Sequence, residues 1–266
     1  MPERESQSSV SADPHGRART RTASIAGIRV DAVSTADVLD LVKRRARDGC
    51  PAQVVTVNAE YVVRARRDIA FRHVIDQADM ATPDSAGILW ALRRQGVALP
   101  YRVGGSDLIW SLSLQAADFG HRVFLLGGRE GVAVRAAERL RETFPGLAIA
   151  GTHVGSPARS EEEDIVDLIR RSEADLLFVA FGAPRQDLWI ARNLQRTGVA
   201  FAMGVGGSID YVAGTARRAP VWMRQAGLDW LWRLIHQPWR WRRMLALPRF
   251  IWLVLRSERD SRREAP

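Results

Sequence analysis

The chain has 266 residues, 46% of them hydrophobic and 26% charged, with a formal net charge of +9. That length and apolar content exclude a disordered or fibrous chain and allow one large α/β domain, alone or with an appendage. The positive charge points to a polyanionic partner, and the single cysteine, Cys50, excludes an intrachain disulfide or a cysteine-based metal cluster.

Residues 1–23 are polar and arginine-bearing. No apolar stretch follows the charges, so a disordered tail is expected here rather than a secretory signal. From Ile25 to Val33 the apolar residues alternate as in a short strand, and Ser34-Thr35-Ala36-Asp37 reads as a capped helix start. Gln53 to Asn58 is a β-branched run suited to a buried parallel strand, followed by a helix from Tyr61 to about Arg67. Thr56 and Asn58 therefore stand at a strand's carboxyl end, Asn58 serving equally well as a helix cap.

The segment Ala78 to Gly87, ADMATPDSAG, reads as a strand end turning into a helix that runs to Gly96. Thr82 is expected to cap that helix, Pro83 to take its first position, and Asp84 to sit in its first turn. Asp84 then either complements the helix dipole or presents a carboxylate at the rim of a sheet, where open α/β folds bind ligands. Arg102 to Asp107 is a glycine-rich turn into a helix over 107–119, either a ligand loop or a plain capped one. His121 to Gly131 gives strand, double glycine and helix, like the front half of a nucleotide-binding unit but without GxGxxG. Leu147 to Ala150 reads as a strand, Glu161 to Arg171 as a helix, and Asp175 to Phe181 as the strongest strand, leading into Gly182-Ala183-Pro184-Arg185-Gln186-Asp187. Val199 to Met203 is a further strand that ends in Gly204-Val205-Gly206-Gly207.

About six such units predict an α/β fold, a Rossmann-like and mostly parallel sheet with helices on both faces. Thr56, Asn58, Asp84, Gln186 and Asp210 would converge on one rim of it. The predicted organisation is a tail over 1–23, a core over 24–214 and a basic helical appendage over 215–266. In residues 217–256 nine arginines, Arg218, Arg224 and Arg233 among them, interleave with tryptophans, and only Asp229 opposes them. Arginine beside tryptophan at helical spacing suits an anionic membrane surface, and also nucleic acid. An arginine-coated helix docked on the core by its tryptophans is the plainer reading. The apolar run from Leu245 to Leu255 falls short of the ~20 residues that span a bilayer.

Taken together, Thr56-Val57-Asn58-Ala59-Glu60, Thr82-Pro83-Asp84, Arg102 to Asp107, Phe181 to Asp187, Gly204 to Asp210, Arg218-Ala219-Pro220 and Gly227 to Leu234 with Pro238 to Arg243 resemble the WecG/TagA/CpsF family of bacterial glycosyltransferases. The resemblance covers about residues 25–245. It implies a membrane-associated, inverting, metal-independent enzyme. Such an enzyme passes a sugar of N-acetylmannosamine, mannosaminuronate or hexose type from a UDP-sugar to a polyprenyl-diphosphate-linked saccharide in cell-surface polysaccharide synthesis. It carries the catalytic base onto Asp84 and substrate-pocket roles onto Thr56, Asn58 and Gln186, with Arg102 and Asp210 beside them. Arg218, Arg224 and Arg233 inherit the donor diphosphate. No cofactor and no nucleic acid are expected. The expected location is cytoplasmic, peripheral on the inner face of the plasma membrane, and self-association stays open. The chain departs from the family pattern at Ser85, where glycine is usual, at Asp187 and Asp229, where glutamate is commoner, and at Ile209, where an aromatic is frequent. Two other readings compete: an NAD-type oxidoreductase built on Val123 to Gly131, and a non-catalytic basic module binding nucleotide or lipid.

Overall fold

The structure is a computed structural model that describes residues 21–236, 238 and 241–264, except for the side chains of 225, 233, 242, 243 and 261–264. The expected tail lies almost wholly outside the described residues. The described residues open with a hairpin rather than the single strand expected from Ile25 to Val33. Strand β1 (Thr22–Ile25) pairs antiparallel with β2 (Ile28–Asp31). Between them Ala26 and Gly27 both adopt positive φ, 50° and 84°, the geometry of a tight hairpin turn. The apolar alternation continues through this turn, which hides it from a pattern reading. Buried Asp31 ties the hairpin to the domain: it pairs with Arg29 at 2.7 Å and accepts the Ala81 N–H at 2.8 Å.

Helix α1 (Thr35–Asp48) opens with the expected capping box, Ser34 and Asp37 exchanging side-chain and backbone bonds. The main sheet then comprises β3 (Ala52–Val57), β4 (Met80–Pro83), β5 (Arg122–Gly127), β6 (Ala148–His153), β7 (Leu176–Ala180) and β8 (Phe201–Gly204). These six strands run in the order β4-β3-β8-β7-β5-β6, and every pairing is parallel. Such a sheet is covered on both faces, which is why β3 is buried along its whole length. One face packs on α1, α5 (Gly105–Phe119), α6 (Val132–Thr143) and α9 (Ser208–Val212). The other packs on α2 (Ala59–Ala65), α3 (Ile69–Gln77) and α4 (Ala86–Arg94), and on α7 (Glu162–Ser172) and α8 (Arg185–Thr197).

β3 and β8 are neighbours, yet the helix after β3 goes to one face and the helix after β8 to the other. That divergence opens a crevice at their carboxyl ends, the place where open parallel sheets bind ligands.

The chain closes with α10 (Val221–Gln225), α11 (Asp229–His236), α12 (Trp241–Met244) and α13 (Ala246–Glu264). α13 returns to the core against α2 and α4. Its contact is made by Phe250, Leu253 and Val254, all buried, and by a two-pronged bond from Arg94 to Glu258 at 2.6 Å for each prong. Trp252, the tryptophan of α13, does not dock it: Trp252 is more than half exposed, as are Trp222 and Trp241 ahead of it.

Candidate active site

The crevice holds a cavity of about 520 Å³. This lies within the ~300–1,000 Å³ usual for small-molecule sites. Its wall contains Thr56, Asn58, Asp84, Arg102, Gln186, Asp210 and Arg218, so seven residues expected at one site from the sequence do meet there. The carboxyl ends of β3, β4, β7 and β8 supply the floor, and Trp230, Trp232, Met244 and Leu247 of the C-terminal segment complete one side.

Asp84 directly follows β4. Its N–H donates to the Val57 carbonyl at 2.8 Å, so the backbone is still held by the β3 ladder at that point. This displaces the expected helix start. Pro83 pairs with Val57 as the last residue of the strand, and Thr82 is buried one residue earlier in the ladder. The cap is Ser85, whose hydroxyl accepts the Ile88 N–H at 3.2 Å. Asp84 therefore lies before the helix rather than in its first turn. Thr82 bonds elsewhere. Its hydroxyl donates to the Val103 carbonyl at 2.7 Å, while the Val103 N–H donates to the Pro83 carbonyl at 2.8 Å. These two bonds lash the start of α5 to the end of β4 and bring Gly104 against Asp84.

Asn58 caps α2, accepting the Tyr61 N–H at 3.1 Å, and faces the cavity as well. Thr56 is buried beside Gly105, where a Cβ would stand 3.6 Å from the threonine hydroxyl. Gln186 is 3% exposed. Its Oε1 accepts the Gly182 N–H at 3.1 Å and its Nε2 donates to the Tyr61 hydroxyl at 3.2 Å. That hydroxyl in turn donates to Asp187 Oδ2 at 2.8 Å. Burial raises the Asp187 carboxyl from 3.8 to about 7, against the opposing bonds from Tyr61, its own backbone and Gln186. Burial and then the Asp187 charge and hydrogen bond also push the Tyr61 phenol well above its ordinary value, with a further contribution from Asp84.

The arginines meet carboxylates. Arg102 donates to Asp229 of α11 at 2.5 Å. Burial disfavours the Arg102 charge, but Asp229, with Asp84 and Asp107 behind it, holds the guanidinium above its ordinary range. Arg218 donates to Ser106 Oγ at 3.1 Å and to Asp107 Oδ1 at 2.7 Å. Arg224 stands 4.0 Å from the same Asp107 oxygen and is not part of the cavity wall. The side chain of Arg233 lies outside the described residues. Arg129, not expected at the site from the sequence, pairs with Asp210 at 3.1 Å and lines the cavity.

The double glycine before it has a packing reason. Gly127 adopts φ 98°, and a Cβ there would come within 2.8 Å of the Ala180 backbone on β7. Tyr61 and Asp187 were legible only as polar residues near two strand ends, because their meeting depends on strand order. Among the described residues no three His, Cys, Asp or Glu side chains gather as a metal site. No described helix is long and apolar enough to cross a membrane.

Carboxylates, three arginines and several helix starts around one cavity form the equipment for removing a proton from a hydroxyl beside a departing anion. The chain is 35% identical over 210 residues to the N-acetylglucosaminyldiphosphoundecaprenol N-acetyl-beta-D-mannosaminyltransferase of Bacillus spizizenii, covering 79% of this chain and 81% of that protein. The protein of the same name in Bacillus subtilis is 31% identical over 211 residues, covering 79% and 82% respectively. That of Staphylococcus aureus strain MW2 is 30% identical over 211 residues with the same coverage. The family model described as Glycosyl transferase WecG/TagA/CpsF family matches residues 23–264, and with it the chain belongs to that family of glycosyltransferases.

Proposed function

We propose that the chain transfers an N-acetylmannosamine-type sugar from a UDP-sugar to an N-acetylglucosaminyl-diphosphate-polyprenyl acceptor, with inversion at the anomeric carbon and without a divalent metal. The acceptor and the sugar follow the names of the relatives above. The observation that carries the reading is the placement of Asp84, Arg102 and Arg218 on the wall of one cavity.

In this reading Asp84 takes the proton of the acceptor hydroxyl as its oxygen attacks the anomeric carbon. The bond from that carbon to the UDP oxygen breaks, and UDP leaves with the electron pair. A positioned base contributes ~10²–10⁴-fold. Arg102 and Arg218 balance the growing diphosphate charge, a role that metal-dependent transferases give to a cation. Thr56, Asn58, Gln186 and Asp210 hold the sugar and its neighbours. Membership of the family and the missing dinucleotide fingerprint set the oxidoreductase reading aside.

The same reading lays the exposed Trp222, Trp241 and Trp252 against the lipid surface that carries the acceptor, the inner face of the plasma membrane. UDP release tests the chemistry. A panel of UDP-sugars is offered with a short-chain prenyl-diphosphate-GlcNAc acceptor in EDTA, to wild type and Asp84→Asn. Acceptor-dependent release from UDP-N-acetylmannosamine that survives EDTA and collapses in the variant is expected. Release that needs added metal, or an unaffected Asp84→Asn, overturns the mechanism.

A further inference from the structure

We propose that Asp187 is a positioning residue of this site: acting through the Tyr61 hydroxyl, it fixes the direction in which the Gln186 carboxamide faces the sugar donor. The inference rests on the reading above that Gln186 contacts substrate.

Hydrogen-bond polarity sets this direction. Tyr61 has a single hydroxyl proton, and Asp187 Oδ2 takes it at 2.8 Å. The tyrosine oxygen then has only lone pairs left to offer Gln186, so the group facing it must be the amide N–H, as found at 3.2 Å. At its other end the carboxamide meets the Gly182 N–H, a donor, which requires Oε1 there, 3.1 Å away. Both ends therefore demand the same orientation. Gln186 lines the cavity, so this orientation decides which of its amide atoms a ligand there meets.

The surroundings leave the amide no other place. A Cβ on Gly204 would fall 2.3 Å from its Nε2, and one on Gly206, at φ 46°, 3.4 Å from its Oε1. The amide is thus clamped between the ends of β7 and β8, with its sense set from behind by Asp187. Gln53 of β3 donates to the Asp187 carbonyl at 3.0 Å and holds that residue from the far side.

Asp187 is a poor choice for stability alone. It is fully buried, and its Oδ1 has no hydrogen-bond partner among the described residues. A buried carboxyl with one idle oxygen is costly, and the other oxygen accepts the Tyr61 hydroxyl. Replacing it with the isosteric amide leaves the Tyr61 hydroxyl an uncharged and weaker acceptor or, with the amide turned over, a donor, so the phenol proton is no longer held away from Gln186.

Steady-state kinetics of Asp187→Asn, Tyr61→Phe, the double variant and Gln186→Ala test this, each with a thermal melt as a folding control. Asp187→Asn and Tyr61→Phe are each expected to raise the donor KM about tenfold with kcat changed less than threefold. The double variant is expected to be no worse than Tyr61→Phe alone, because that substitution has already cut the connection. A purely structural role would instead lower the melting temperature with KM intact. Tyr61→Phe keeps the ring against Phe71, at 5.0 Å between centroids, and carries the test if Asp187→Asn does not fold.

A wild-type donor KM in Tyr61→Phe, or an Asp187→Asn effect that persists undiminished in the Tyr61→Phe background, overturns the inference. In either case wild-type turnover would leave the transferase reading standing. An unchanged KM in Gln186→Ala removes the substrate contact and this inference with it. A wild-type chain that turns over no UDP-sugar sinks both.

Discussion

The carboxylate of Asp84 occupies the space that a side chain at position 104 would fill: a Cβ built on Gly104 would lie 1.9 Å from Asp84 Oδ1 and 2.8 Å from its Cγ. Gly104 has an ordinary extended backbone, φ −110°, so conformational freedom is not why glycine stands there. Its role is to leave room at the start of α5 for the carboxylate.

Gly104→Ala is accordingly expected to expel the Asp84 carboxylate from its place while the fold survives. Turnover should fall ~10²-fold or more, approaching the loss in Asp84→Asn, because a displaced base loses most of its ~10²–10⁴-fold contribution. Acceptor-dependent UDP release compared with the melting temperature checks it. Wild-type turnover in folded Gly104→Ala would show that Asp84 does not need this position.

Five residues of this site were legible because each stands at or beyond the carboxyl end of a strand. Thr56 and Asn58 close β3, Asp84 follows β4, and Gln186 and Asp210 follow β7 and β8, so a parallel sheet had to bring them to one edge. The start of α4 was misplaced because Thr82-Pro83 and Ser85 are both eligible openings. The β3 ladder decided between them by holding the backbone as far as Asp84. Contacts across strands were not legible: Tyr61 meets Asp187 126 positions away, and Arg102 meets Asp229 127 positions away. Nothing in the local pattern states that β3 and β7 flank β8, so no spacing rule leads from one partner to the other.

The pairing of Arg102 with Asp229 at the cavity mouth sets up competition with an incoming diphosphate. Hydrogen bonds to charged partners are worth ~1.5–3 kcal/mol. Arg102→Gln is expected to weaken UDP binding at least tenfold. Asp229→Asn, which releases the guanidinium from its carboxylate, is expected to tighten it severalfold. Calorimetric titration of UDP into both variants checks the opposite signs. Equal weakening in both would mean that the pair acts only as a latch for α11.

Stability and surface activity should separate along the C-terminal helices. Phe250 is fully buried and packs over Gly87, where a Cβ would stand 3.4 Å from its ring. Phe250→Ala is expected to cost ~3–5 kcal/mol, as large-to-small core changes do. Trp222→Ala with Trp252→Ala, at exposed positions, should leave the urea midpoint nearly unchanged and weaken sedimentation with anionic lipid vesicles. Vesicle binding unaltered in the tryptophan pair would remove those rings from the membrane contact.

The buried Asp187 carboxyl makes a pH prediction whose sign is fixed by linkage. Folding raises it from 3.8 to about 7. Between those values the unfolded chain has released the proton and the folded chain has kept it, so this group's contribution to stability is complete below 3.8 and drains away as pH rises through 7. The slope for one proton is at most about 1.4 kcal/mol per pH unit. The quantity to measure is the difference between wild type and Asp187→Asn in urea melts from pH 4 to 8, which isolates this one group. That difference should move steadily against the wild type as pH rises, then level off above about pH 7 once the carboxyl is ionised in both states. A difference independent of pH would show that Asp187 ionises at its ordinary value, and that Tyr61 and the neighbouring backbone N–H groups compensate fully for its burial.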